Sequence, residues 1–323
     1  MAFLEIIWLG TPVWMWLAFV AIVATLLALD LGVLHKKQRE IGVTESLVLS
    51  AVYMGLGMAF GGWVWWYLGQ TAGLQYITGF VIEKSLAMDN VFVIAMIFTY
   101  FAIPRQYQHR VLFWGILGVI VLRAIMIGLG TTLVEKFGWV LYVFAAFLIL
   151  TGIKMWKTAD KNYDVGTSGA MRVIKKYLPV TDELHGEKFF VRQTDAVTGK
   201  SSTYVTPLFL ALAMVEIVDV VFAVDSVPAI FAITTDPFIV YTSNIFAILG
   251  LRALYFALAA MVHRFHYLKY ALAVLLIFIG SKIFVADLFG LAKFPPVVSL
   301  SITFAILAAG VGWSLWKTRG VKA

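Results

Sequence analysis

The chain has 323 residues, of which 62% are hydrophobic and only 13% are charged. Soluble domains are nearer half apolar and one quarter charged, so this composition indicates a protein whose main solvent is lipid. The absence of cysteine excludes disulfides, thiolate metal sites and cysteine redox chemistry, and the net charge of +7 has to be explained by where the basic residues lie.

Nine apolar runs are each long enough to cross a bilayer, which takes roughly 20 apolar residues. The predicted spans are 13–34, 46–68, 76–102, 111–130, 138–156, 204–234, 239–261, 268–289 and 295–316. The first run is too long for a cleaved signal sequence and lacks a basic leader, so we expect it to be retained. The expected fold class is an all-α polytopic membrane protein.

The basic residues alternate between the predicted connections. Eighteen of the 25 Lys and Arg residues lie in or beside every second connection, whereas the opposite connections hold only Lys136 and Lys293. This bias predicts a cytoplasmic (inner) membrane protein with its N-terminus outside and its C-terminus in the cytoplasm. The positive charge therefore indicates topology and a lipid environment, not a nucleic-acid surface.

One connection, residues 158–203, is long and polar. Within it, TSGAMRVIKKYL (167–178) has an apolar helical face typical of a helix on the membrane surface. After it, FFVRQ and STYV flank a turn-rich TDAVTGK, which predicts a β-hairpin. We interpret this connection as a cytoplasmic linker between two membrane halves.

The two halves share three short matches in the same order. EKSLAMDNV (83–91) aligns with DVVFAVDSV (219–227), VLRAI (121–125) with GLRAL (250–254), and LILTGIKMW (148–156) with LIFIGSKIF (276–284). Each unit contains three spans, an odd number, so the second unit would be inverted relative to the first. Inverted repeats are typical of transporters, whose sites lie where the repeats meet.

The repeat divides the chain into five parts. Two N-terminal transmembrane helices (1–75) precede the first three-helix repeat (76–157), the cytoplasmic linker (158–203), the second, inverted repeat (204–290), and a final transmembrane helix with a cytoplasmic tail (291–323).

Ionisable residues inside the predicted spans are the main functional signal. They are Asp30, Glu83, Asp89, Glu216, Asp219 and Asp225 among the acids, and Lys84, Arg123, Lys154, Arg252 and Lys282 among the bases. Each charge costs about 3 kcal/mol near the bilayer centre, so these groups must face the interior or one another. A purely structural web of ion pairs is the alternative, but buried pairs stabilise poorly compared with apolar packing.

The repeat motifs offer only oxygen ligands. The candidate metal-binding residues are Glu83, Asp89, Asn90, Glu216, Asp219, Asp225 and Ser226, with Asp30 and Met88 less certain. All five histidines lie in or beside cytoplasmic connections, so the donor set favours Mn²⁺, Mg²⁺ or Ca²⁺ over Zn²⁺ or Cu(I). A helix break at Pro228, beside Asp225, would expose a further backbone oxygen, although a repaired kink explains the proline equally well.

Basic residues are the expected counter-charges of the empty site. Arg123 and Arg252 could pair with the carboxylates until a cation arrives, and Lys84 and Lys282 are further candidates. Protonation of the carboxylates would have the same effect and would couple metal movement to protons. Lys154 is expected to extend to the membrane surface instead.

EKSLAMDNVFV (83–93) and EIVDVVFAVDSVPAIF (216–231) resemble the TerC family of bacterial integral membrane proteins, and its Alx branch in particular. The resemblance covers nearly the whole chain. It implies inverted three-helix repeats and places Glu83, Asp89 and Asn90 in the first family motif, and Glu216, Asp219, Asp225 and Ser226 in the second. Members resembling this chain are implicated in manganese export. Others are named for tellurium resistance, and the Alx branch is described as redox-modulating.

The sequence therefore predicts a secondary transporter that exports divalent cations, with Mn²⁺ as the main expected cargo. Protons are the candidate coupling ion, and we expect no permanently bound cofactor. A tellurium-resistance or indirect redox role is the alternative. An intramembrane aspartyl protease is a further one, but the chain lacks a GxGD sequence and has more buried acids than a dyad needs. We expect no enzyme activity.

Overall fold

The computed structural model describes residues 4–29, 42–158, 178–181, 183–194, 201–259, 267–291 and 294–318. These residues contain nine helices and two short antiparallel hairpins. The helices are α1 (Val13–Leu29), α2 (Val43–Leu68), α3 (Gln70–Tyr100), α4 (Arg105–Lys136), α5 (Val140–Thr158), α6 (Pro207–Phe231), α7 (Pro237–Ala259), α8 (Leu268–Leu288) and α9 (Pro296–Lys317). The strands are β1 (Ile7–Trp8), β2 (Thr11–Pro12), β3 (Phe190–Thr194) and β4 (Ser201–Val205).

Every predicted span coincides with a helix, but only seven of the nine helices are long and apolar enough to cross a membrane by themselves. Helix α1 has 17 described residues, and α3 carries Glu83, Lys84 and Asp89 within its length. The prediction of nine spans is therefore confirmed in part. The charges that suggest a site in α3 also remove this helix from the set recognised by hydropathy alone.

Helix α6 carries the second acidic motif and is continuous. The Thr206 hydroxyl accepts a hydrogen bond from the Phe209 N–H at 3.4 Å, and Pro207 occupies the first turn, where its missing N–H costs nothing. The helix then runs through Pro228 to Phe231. A break at Pro228 is therefore not observed, because this proline lies in the last turn and interrupts few hydrogen bonds.

The helices pack with α3 and α6 at the centre. Helices α5 and α8 make the most extensive pairwise contact, followed by α3 with α7 and α2 with α7, while α4 packs on α6. The outward faces of α4 and α5 expose large apolar side chains such as Leu129 and Leu150. These faces suit lipid, whereas the polar residues of α3 and α7 are mostly buried.

Helices α5 and α8 cross at two glycines that make reciprocal contacts. A Cβ at Gly152 would lie 2.7 Å from the Ala273 carbonyl oxygen and from Ile277 Cγ1. A Cβ at Gly280 would lie 2.5 Å from the Ala145 carbonyl oxygen and 2.9 Å from Ile149 Cγ1. Only residues without a side chain allow this approach of two backbones.

The described part of the linker lies against the helices. Strands β3 and β4 form the predicted antiparallel hairpin, which the structure confirms. Arg110 of α4 makes a 2.8 Å ion pair with Glu187 and lies over the Phe189 ring. The predicted surface helix at 167–178 lies almost wholly outside the described residues.

Replacing Gly152 with alanine should lower the thermal stability of the protein. The methyl group would force α5 and α8 apart, and overpacking of this kind costs about 1–3 kcal/mol. Gly128→Ala is the matched control, since Gly128 of α4 has open space at that position and alanine favours a helix. The measurement is the melting temperature in detergent. Equal melting temperatures for the two variants would contradict the close approach.

Candidate cation site

Arg123 of α4 holds two carboxylates from different helices. Its side chain is 1% exposed, and its Nη1 lies 2.6 Å from Glu83 Oε1 of α3. Its Nη2 lies 3.5 Å from Asp219 Oδ1 of α6. Glu83 and Asp219 occupy equivalent positions in the two acidic motifs, so one guanidinium links the two halves of the chain.

Two neutral side chains complete the surroundings of Arg123. Its Nη1 also lies 2.9 Å from Ser226 Oγ and 3.2 Å from Asn244 Oδ1. One guanidinium nitrogen has two hydrogens, so it cannot fully satisfy Glu83, Ser226 and Asn244 together. Sequence analysis missed Asn244, although it is the only amide side chain in the predicted span 239–261 and is completely buried.

Several polar atoms of Arg123, of residues that contact it, and of the neighbouring Glu216 have no hydrogen-bond partner among the described residues. They are Glu216 Oε2, Asp219 Oδ2, Asn244 Nδ2 and Arg123 Nε. Buried groups of this kind are rare in proteins and mark places where water or an ion is needed. The carboxylate oxygens in this set are hard ligands of the type that Mn²⁺, Mg²⁺ and Ca²⁺ bind.

Glu216 occupies a notch in α4 made by a glycine. A Cβ at Gly118 would collide with the Glu216 carboxylate, and a Cβ at Gly115 would lie 4.0 Å from Glu216 Oε1. Asp219, one turn further along α6, is close enough for its charge to act on Glu216. The absence of a side chain at Gly118 therefore lets a second carboxylate approach the site.

Two small cavities meet in this region. One, of about 50 Å³, is lined in part by Glu83, Arg123, Asp225 and Ser226, and the other, of about 40 Å³, by Asp219 and mainly apolar side chains. Asn90 and Phe222 line both. Each cavity is large enough for about one water molecule or a dehydrated ion. Asn90 therefore lies on the boundary between the two cavities.

Asp225 borders both an interior cavity and an outward-facing groove. It lines the cavity that contains Glu83, and it also lines an open groove of about 440 Å³ between α5 and α6. Thr151 and Lys154 of α5 line the same groove as Asp225. Lys154 is exposed in this groove, and its extension to the membrane surface stays a prediction.

The remaining predicted residues lie apart from the carboxylates or outside the described set. Lys84 Nζ donates to the Ala247 carbonyl at 3.2 Å, and Lys282 Nζ to Ser299 Oγ at 3.3 Å. Met88 packs between two apolar clusters, as a space-filling residue does. The structure describes the backbone of Asp89 and Arg252 but not their side chains, and Asp30 lies outside the described residues.

The described side chains contain no group of three His, Cys, Asp or Glu residues arranged to hold a metal ion. Arg123 lies between Glu83 and Asp219 and is the positive group that contacts both. In this arrangement one positive side chain holds the acids of two helices together and offsets one of their two charges.

These features define a multi-pass integral membrane protein with ion-paired carboxylates in its interior. The family model for the integral membrane protein TerC family matches residues 68–322, which include both acidic motifs. The chain belongs to the TerC family.

Similar proteins extend over almost the full length. A membrane protein of Rickettsia bellii, named as uncharacterized, is 49% identical over 92% of this chain and 95% of its own. A second such protein, from Myxococcus xanthus, is 46% identical over 96% of this chain and 94% of its own. An Escherichia coli K12 protein named "Putative membrane-bound redox modulator Alx" is 46% identical over 92% of both chains. No solved structure matches.

Removing Arg123 should destabilise the protein strongly. Arg123→Met leaves Glu83 and Asp219 buried without a counter-charge, which costs about 3–5 kcal/mol when a buried pair is broken. Arg110→Met is the matched control, because its pair with Glu187 is 40% and 33% exposed and such surface pairs contribute about 0–1 kcal/mol.

The readout is again the melting temperature in detergent. Adding Glu83→Gln to Arg123→Met should recover part of the loss, since the double variant buries one charge fewer. If Arg123→Met is no worse than Arg110→Met, the guanidinium is not the group that holds the acids together.

Proposed function

We propose that this protein is a secondary transporter that exports divalent metal cations, with Mn²⁺ as the main cargo. The observation that carries the proposal is the convergence of Glu83, Asp219 and Ser226, from two different helices, on the buried Arg123. A cation entering beside them would supply the positive charge that Arg123 supplies in its absence. Glu83, Asp219 and Arg123 together carry a charge of −1 without the ion, and a divalent cation in the place of Arg123 would neutralise both carboxylates.

The two cavities support a route for an ion from the hairpin end of the bundle to Glu83 and Asp219. The cavity at Asp219 continues along Val215 and Leu112 toward Tyr255, near the end of the bundle where the linker hairpin lies. Asn90 joins it to the cavity at Glu83. In the proposed orientation this end is cytoplasmic, so an ion would enter from the cytoplasm.

Apolar side chains separate the site from the opposite end of the bundle. Ile82, Ala229 and Ile279 are buried in one cluster and lie at intermediate depths of α3, α6 and α8. A layer of this kind excludes water and ions. Export would require these three helices to separate on that side, while the path through Tyr255 closes.

The reciprocal glycine contacts support the inverted repeat that this mechanism uses. Gly152 and Gly280, Ala145 and Ala273, and Ile149 and Ile277 are each related by 128 residues, the offset of the third sequence match. Helix pairing has the same symmetry: the contact of α3 with α7 corresponds to that of α4 with α6. Related three-helix units can rock against each other around a fixed site at their interface.

The oxygen donors favour Mn²⁺, Mg²⁺ and Ca²⁺, and they offer no thiolate or imidazole for softer metals. The enzyme alternative needs Asp89 and Asp225 to share a proton as a dyad, and it would leave the buried pairs of Arg123 with Glu83 and Asp219 without a role. The redox modulation in the name of the E. coli relative would, in a chain without cysteine, act through metal supply.

Transport can be measured as Mn²⁺ flux in proteoliposomes. Glu83→Gln and Asp225→Asn should each reduce flux at least tenfold, because each removes a charged oxygen ligand from the same cavity. Glu135→Gln, at an exposed position near the end of α4, is the matched control and should transport like the wild type. Mg²⁺ and Ca²⁺ are added as competitors to rank the cargo. Absence of wild-type flux, with and without a proton gradient, would refute the proposal.

A further inference from the structure

A larger cavity, of about 410 Å³, lies at the end of the bundle opposite the linker hairpin. Its wall is built from the first turns of α3, α5 and α9 and the last turns of α6 and α8. Its polar lining residues are Gln75, Thr78, Tyr142, Thr234, Thr235, Lys282, Asp287 and Ser299. The cavity is separate from the carboxylate site, because Ile82, Ala229 and Ile279 lie between them.

Lys282 gives this cavity a buried positive charge. Its side chain is 4% exposed, and among the described residues its Nζ donates one hydrogen bond, to Ser299 Oγ at 3.3 Å. An ammonium group has three hydrogens to donate. No described carboxylate forms an ion pair with it, although Asp287 lies five residues further along α8, about 7.5 Å by helical rise. A buried ammonium group without a carboxylate beside it is stabilised when a negatively charged ligand binds next to it.

The neighbouring groups are suited to donate hydrogen bonds. Ser299 Oγ accepts from Lys282, so its own hydrogen is available, and Thr234 Oγ1 likewise accepts from the Asp236 N–H at 3.2 Å. Helix α9 begins at Pro296 on the cavity wall, and no side chain caps it. Pro295 and Pro296 have no N–H, so the free N–H groups at this end are those of Val297 and Val298. The first N–H groups of a helix carry a partial positive charge and favour anions.

We propose that this cavity binds a phosphate-type oxyanion, which contacts Lys282, Ser299 and the start of α9. The volume leaves room for the anion and several waters. Asp287 is the only acid in the lining and is exposed to solvent, so its charge is screened while that of Lys282 is not. The oxyanion is either free phosphate or the headgroup of an anionic lipid, since both present the same atoms.

The test uses the full-length protein purified in a neutral detergent. Inorganic phosphate is titrated at constant ionic strength against chloride, with melting temperature and direct calorimetric binding as readouts. In a second arm, the protein is placed in nanodiscs of phosphatidylcholine with or without phosphatidylglycerol. Stabilisation by phosphate indicates a free anion, and stabilisation by phosphatidylglycerol alone indicates a headgroup.

Lys282→Met should weaken the anion effect at least tenfold, and Lys282→Arg should retain most of it. Lys84→Met is the matched control, because Lys84 is also a buried lysine with one hydrogen bond but does not line this cavity. Lys282→Met removes an unpaired buried charge, so without anion it should be at least as stable as the wild type. The proposal is overturned if neither phosphate nor phosphatidylglycerol acts on the wild type, or if Lys282→Met responds equally.

Discussion

The charge of Arg123 is the constraint on which the interior depends. Glu83 and Asp219 lie beside Arg123 where lipid and packed helices exclude water, and Glu216 lies near Asp219. Their mutual repulsion would drive α3 and α6 apart without a positive charge between them. A guanidinium can hold carboxylates on two helices at once because its donors form a planar fork. The contact between α3 of the first half and α6 of the second half therefore depends on one side chain from α4.

Glycines set how closely the surrounding helices approach this charge. Gly118 gives Glu216 room beside α4, and Gly152 and Gly280 allow α5 and α8 to cross almost backbone to backbone. Apolar residues of the same volume would stabilise the interior better than a buried ion pair does. A buried ion pair, with a glycine notch at Gly118 beside it, is therefore what the proposed exchange of positive charge would need.

The sequence predicts well which charged residues belong to the site. It predicts poorly which neighbouring helix each side chain contacts. Glu83, Asp219 and Arg123 are visible because a charge inside an apolar span is rare. Lys84 is just as visible, but it lies about 100° around the helix from Glu83 and donates to α7 instead. Asn244 and Gly118 carry no such signal, since their roles arise only when α4, α6 and α7 pack together. Pro228 could not be interpreted from sequence alone, because its effect depends on where the helix ends.

The most direct test of the account is the stoichiometry of Mn²⁺ binding to the purified protein, followed by electron paramagnetic resonance. One site built from both halves predicts one bound ion per chain in the wild type and weak or no binding in either Glu83→Gln, of α3, or Asp219→Asn, of α6. Full binding in one of these variants would contradict the account, because the two helices would then not contribute to a common site.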